Sequence, residues 1–122
     1  MTVMEVGNKL VEFCKKGENL KAIETLYSQN IVSVEAASMP NMPAEMRGME
    51  AIVGKNKWWM ENHEIHSAIC EGPFPHGDRF IVHFNYDVTN KPSKKRMKMD
   101  EMALYTVEND KIIREEFFYS MG

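Results

Sequence analysis

Two glutamates, Glu101 and Glu115, sit on two consecutive apolar, strand-like runs in the last quarter of a 122-residue chain. Two carboxyls brought into one apolar interior repel each other and lose hydration. That lifts at least one pKa toward neutrality, where a general acid or base works. At a rim or on an outer face, the same residues would be solvated or paired with Arg96 or Arg114. Tyr119 offers a phenolic hydrogen bond to a carbonyl, or an aromatic end to a core. The string His63-Glu64-Ile65-His66 places two histidines three apart. It lacks the four-residue spacing of the zinc-protease helix and has no third or fourth ligand nearby, so no metal centre is expected. His66 alone remains a candidate acid or base, with a surface or structural histidine as the alternative. His76 falls in a turn, and His83 on an outward strand face.

Trp58-Trp59 is the most conspicuous apolar pair, and Trp59 either walls a pocket or fills a core. Only Lys55 and Lys57 stand near it, too few cations for a nucleic-acid stacking platform. Lys91, Lys94, Lys95, Arg96 and Lys98 form a basic run that reads as a solvated loop, or else as a site for a phosphate or acidic partner. Cys14 and Cys70 make no disulfide framework and have no histidine beside them; both read as buried structural thiols. There is no glycine-rich phosphate loop and no serine elbow, so no cofactor is expected.

The 15 basic and 18 acidic residues leave a net charge of -3. No positive field exists to collect nucleic acid or an anionic membrane. No apolar run approaches the about 20 residues of a bilayer span. The start from Met1 to Leu10 is amphipathic rather than signal-like, so the expected compartment is the cytoplasm. The length suits one domain over residues 1–122. The odd number is 11 Met, which suits either an irregular core or a forgiving apolar site.

These residues are positioned by a definite order of elements. Thr2 and Glu5 form a capping box, after which Val3, Val6, Leu10 and Phe13 or Cys14 recur at helical spacing up to Gly17. A second helix carries Leu20, Ile23, Leu26 and Tyr27 on one face and stops near Ser28 to Asn30. Ile31 to Ala36 reads as a strand, and Ser38 to Gly48, with Pro40, Pro43 and three methionines, as a lid-like loop. A third helix fits Met49 to Asn62, with Met49, Ile52, Val53, Asn56, Trp59 and Met60 on one face and Gly54 weakening it slightly. Then the period changes to two: Glu64 to Gly72, a turn over 73–78, Arg79 to Thr89, a polar loop over 90–95, and a hairpin of Arg96 to Val107 with Lys111 to Tyr119. Helices followed by antiparallel strands make an α+β protein with helices on one face of a curved sheet.

This order, the Arg47-Gly48-x-x-Ala51-Ile52 string opening the third helix, the Ile81-Val82-His83-Phe84-Asn85-Tyr86 strand and the closing segment from Glu108 to Tyr119 resemble the nuclear-transport-factor-2-like superfamily. The nearest branch is the SnoaL-like polyketide cyclase and ketosteroid isomerase group. The resemblance implies a cone-shaped antiparallel sheet with three helices enclosing one apolar pocket for a small, largely apolar ligand. It implies either a cofactor-independent isomerase, dehydratase or cyclase, or a non-catalytic binding module of the same fold. The ketosteroid isomerase tyrosine and its two aspartates match Leu10, Ala36 and either Ala103 or Met102 here, so those catalytic residues are not kept.

The same resemblance selects the inward side chains: Phe80, Val82, Phe84 and Tyr86 on one strand, and Ile113, Glu115, Phe117 and Tyr119 on the last. A bulged three-residue turn over 108–110, pairing Val107 with Lys111 and with Asp110 left-handed, puts Met99, Glu101, Ala103 and Tyr105 beside them. A two-residue turn would instead bring in Asp100, Met102 and Leu104, and the bulged turn is the expected one. The candidate set is therefore Glu101, Glu115, Tyr119 and His66 for chemistry, with Trp59, Phe80, Phe84, Tyr86, Met99, Tyr105 and Phe117 as ligand wall. Ile81, Ile112 and Phe118 on the outer face call for cover by a second copy, giving a homodimer.

Overall fold

The computed structural model describes residues 1–38 and 42–119. Met39 and Pro40 of the expected lid lie outside the described residues. Helix α1 (Val3–Lys15) opens as expected: the Thr2 side chain accepts from the Glu5 N–H at 3.1 Å, and Glu5 accepts from the Thr2 N–H at 3.4 Å. Its buried face is Val6, Gly7, Leu10 and Val11. Gly7 is where α1 comes down on the sheet, since a Cβ there would lie 2.8 Å from Pro73.

Helix α2 (Asn19–Leu26) is shorter than its apolar spacing suggests. Tyr27 begins strand β1 (Tyr27–Val34) instead of ending the helix, so the strand starts four residues before Ile31. The stretch expected as a loop contains a short strand, β2 (Glu45–Arg47), paired antiparallel to β1 through Val32 and Arg47. Helix α3 (Met49–Asn62) has the expected bounds and passes directly into β3 (His63–His76). That strand does not end at Gly72; it runs on through Pro73 and Pro75 past an irregularity between Glu71 and Phe74, leaving only Gly77 and Asp78 as the turn. Prolines are tolerated there because β3 is the sheet edge, where a missing N–H breaks no ladder bond. Strands β4 (Arg79–Asn90), β5 (Lys95–Glu108) and β6 (Lys111–Phe118) complete the chain.

The sheet order is β2-β1-β6-β5-β4-β3. It is mixed rather than wholly antiparallel, because β1 runs parallel to β6. The curved sheet does not close, and the three helices cover its inner face: α1 on β3 and β4, α3 on β1, β2 and β3. Strand β4 alternates as its sequence demands, with Phe80, Val82, Phe84 and Val88 buried and the residues between them half exposed.

The closing hairpin decides which side chains of β5 face the helices. Its turn is the two-residue form, with Asn109 and Asp110 at φ 50° and 65° and Glu108 opposite Lys111. Left-handed backbone at both positions makes it a primed turn, which matches strand twist. By itself that turn would send Met102 and Leu104 inward. The register shifts at the next step: Val107 faces Ile112, but Thr106 faces Arg114, so Ile113 is an extra residue on β6. Beyond that bulge Tyr105 lies opposite Glu115 and Ala103 opposite Phe117. Met99, Glu101, Ala103 and Tyr105 therefore point inward as expected, through a bulge in the strand and not in the turn. Ile113 is displaced from the inward set, and Ile112, expected on the outer face, is fully buried in the core.

Candidate functional site

Glu115 is 3% exposed, on the inner face of β6. The Tyr27 hydroxyl donates to its Oε2, and Ser33 Oγ donates to its Oε1 at 2.8 Å. Both donors come from β1, which lies alongside β6 in the parallel pair with Ser33 opposite Glu115. The Lys55 ammonium, reaching in from α3, donates to Ser33 Oγ at 2.7 Å and to Glu35 Oε1 at 2.9 Å. The Tyr119 hydroxyl donates to the other oxygen of Glu35 at 3.1 Å. A continuous polar chain thus runs Tyr27, Glu115, Ser33, Lys55, Glu35, Tyr119, from the buried Tyr27 to the half-buried Tyr119. Lys55 Nζ also stands 5.4 Å from the Phe117 ring centre.

Glu101 is the carboxyl beside this chain that carries no hydrogen bond among the described residues. Burial, then the charges of Glu35 and Glu115, push its pKa up to about 7, with Lys55 pulling the other way. Glu115 is also raised by burial, against the opposing pull of Lys55 and its two hydrogen-bond donors. Burial lifts Tyr119 to about 12, so its hydroxyl keeps its proton and stays a donor near neutral pH. Chemically, this is a protonatable carboxyl next to a fixed ammonium and a phenol, which can move a proton while holding an oxygen of a bound molecule.

The expected wall residues divide into two layers. Phe80, Phe84 and Tyr105 are 1%, 3% and 2% exposed, so they are core, with Phe80 and Tyr105 stacked at 5.0 Å. Trp59, Tyr86, Met99 and Phe117 are half-buried, with Trp59 and Tyr86 rings 5.8 Å apart. Trp59 also stacks on His63 at 4.4 Å. Two depressions of about 230 and 260 Å³ are found elsewhere, one between Gly17–Leu20 and Asn56–Glu61, the other around Phe74, Arg79 and Leu104; neither includes Glu101 or Glu115.

Glu101, Glu115 and Tyr119 are brought together; His66 is not. It is exposed on β3, with Nε2 2.7 Å from Thr89 Oγ1 on the outer face of the sheet. No group of metal-ligating side chains occurs among the described residues. Cys14 and Cys70 are free thiols; burial pushes Cys14 up to about 12, so neither reads as a nucleophile. The residues missed are Tyr27, Ser33, Glu35 and Lys55. Lys55 had a signal, because it falls between Ile52 and Trp59 on the apolar face of α3. Ser33 and Glu35 had a weaker one, as polar residues alternating within a strand run.

The model of the SnoaL-like domain family matches residues 1–119. A crystal structure from Mesorhizobium loti, described as SnoaL-like polyketide cyclase and carbohydrate phosphatase, is 43% identical, with a TM-score of 0.92 over 98% of this chain and 100% of the other. A protein of ketosteroid isomerase-like fold from Catenulispora acidiphila, solved with trimethylamine, is 20% identical, with a TM-score of 0.75 over 99% of this chain and 88% of the other. A nuclear-transport-factor-2-like protein from Burkholderia thailandensis is 17% identical, with a TM-score of 0.82 over 98% and 92%. None of the curated proteins matches the chain.

Proposed function

The chain belongs to the SnoaL-like domain family, and from that premise we propose that it is an acid/base enzyme acting on a small, largely apolar molecule, an isomerase, dehydratase or cyclase. The observation that carries this reading is Glu101: an inward carboxyl without a hydrogen-bond partner among the described residues, held near a pKa of about 7 beside Lys55 and Tyr119. In this reading Glu101 takes and returns a proton, and Lys55, anchored by Ser33 and Glu35, presents its third N–H to a carbonyl oxygen as charge builds on it, while Tyr119, whose one hydroxyl proton goes to Glu35, holds that carboxylate in place. The half-buried Trp59, Tyr86, Met99 and Phe117 would supply the apolar contacts to such a molecule.

The test is carbon-acid exchange. A panel of small cyclic enones and 1,3-diketones in D2O is followed by proton NMR with wild type and Glu101→Gln. Exchange should rise with pH through about 7, and the variant should lose it by about 100-fold or more. Exchange that is equal in the two proteins sinks the role of Glu101. Binding without exchange favours a second reading, a non-catalytic binding module of the same fold. That reading is supported by Glu115 being tied down by two donors, as a structural carboxyl would be.

The outer sheet face supports a homodimer. Ile69, Phe74, Met102 and Phe118 are 56%, 55%, 38% and 54% exposed there, with Ile81 and Leu104 half-buried among them. Apolar side chains exposed on four neighbouring strands are covered most simply by the same face of a second copy. A solution mass of one chain at micromolar concentration would sink this. No described helix is long and apolar enough to cross a membrane, and the free thiols suit a reducing compartment, for which we propose the cytoplasm.

A further inference from the structure

At the centre of the outer face lies a charged cluster that the acid/base chemistry does not use. His83 on β4 lies opposite Glu71 on β3 and diagonal to Asp100 on β5, which is itself opposite Asn85. Its Nδ1 is 3.5 Å from Glu71 Oε1, and its Nε2 is in hydrogen-bond contact with Asp100 Oδ1. Along its own strand it is flanked by Ile81 and Asn85, and Met102 stands opposite it on β5. Among the described residues, His83 is the only cation paired with either carboxylate.

A neutral imidazole has one N–H and one lone pair, and a carboxylate accepts but does not donate. A ring with a carboxylate at each nitrogen serves both only when both nitrogens carry protons; the Asn85 amide nitrogen, 3.5 Å from Nε2, stands farther off than Asp100. We infer that His83 is an imidazolium clamp across β3, β4 and β5, and that its charge gates the association of this face with a second copy of the chain. This rests on the homodimer reading of the face. With the ring charged, the trio carries one net negative charge; with the ring neutral, it carries two. Sheet-to-sheet packing brings two such trios onto one interface, so losing the proton doubles the like charge on each side and weakens association. The clamp is partly solvent-accessible, and its hydrogen bond to Asp100 above all holds the His83 pKa above the ordinary histidine value. Association is accordingly strongest below the ordinary histidine value and weakens as pH rises through the raised pKa of His83.

The experiment is sedimentation velocity at about pH 6, 7.5 and 9 at constant ionic strength, alongside NMR titration of the His83 ring. Wild type should dimerise at the lowest pH, with a dissociation constant at least about tenfold weaker at the highest. His83→Gln, neutral throughout, should dimerise weakly and without pH dependence. The double variant Glu71→Gln, Asp100→Asn should lower the midpoint of the ring. Circular dichroism establishes that each variant is folded. A dimer whose affinity is flat while His83 titrates overturns the gate and leaves the dimer standing. A monomer at every pH overturns the dimer and the gate together. A ring midpoint below about 6.5 in wild type overturns the clamp.

Discussion

Lys55 on α3 reaches Glu35, just past the end of β1, with Nζ 2.9 Å from Oε1 and both side chains largely out of water. The same ammonium donates to Ser33, and through Ser33 it supports Glu115. One lysine thus offsets one carboxylate on β6 and another just beyond β1, which no surface ion pair could do.

Removing that cation should be costly. Lys55→Met should lower stability by about 2–3 kcal/mol, because it leaves Glu35 and Glu115 facing each other with no counter-charge. The double variant Lys55→Met, Glu35→Gln should recover a good part of the loss. A double-mutant cycle by urea denaturation reads the coupling; additive losses would mean that the pair contributes nothing as a pair.

Glu101 predicts a stability that depends on pH with a definite sign. Its folded pKa of about 7 lies above the ordinary 4.5, so ionisation is penalised in the folded state. Wild-type stability falls as pH rises from the lower value through the higher one, by at most about 3 kcal/mol. Glu101→Gln has nothing to ionise. It should match wild type near pH 4 and exceed it near pH 8, because a functional group held in an unfavourable state costs stability. Melting curves of both proteins at the two pH values check this; parallel curves would refute the shift.

Glu115 should discriminate between loss of charge and loss of an acceptor. Glu115→Gln keeps an oxygen for Tyr27 or Ser33 and should cost about 1 kcal/mol. Glu115→Ala orphans both buried hydroxyls and opens space in a core position, and should cost about 3 kcal/mol or more. Equal losses, measured by denaturant midpoint, would show that the hydrogen bonds are immaterial.

Two helical glycines should respond in opposite directions to the same change. Gly54→Ala on α3 meets nothing within 4 Å and should stabilise by about 0.5–1 kcal/mol through helix propensity. Gly7→Ala on α1 drives a methyl to 2.8 Å from Pro73 and should destabilise by about 1–3 kcal/mol despite the same propensity gain. Thermal melts of the two single variants decide it.

What the chain determines by itself is whatever depends on neighbours within one turn or one pleat. The capping box of Thr2 and Glu5, the bounds of α3 and the two-residue alternation of β4 follow from spacings of two to four residues, and each stands in the structure. The family resemblance supplied the inner face of β5, and that too stands, although its cause does not. The register is set by an extra residue at Ile113, and no local pattern distinguishes a bulge in a turn from one in a strand. The rest required the tertiary structure. Tyr27 and Ser33 reach Glu115 across 88 and 82 residues of chain because β1 lies parallel to β6, and Lys55 joins them because α3 crosses β1. His66 is removed from the site by the face of the edge strand on which it falls. Hydrophobic spacing reports which side of an element is buried. Which polar groups meet there is decided by register and strand order, and those are settled only by packing the whole sheet.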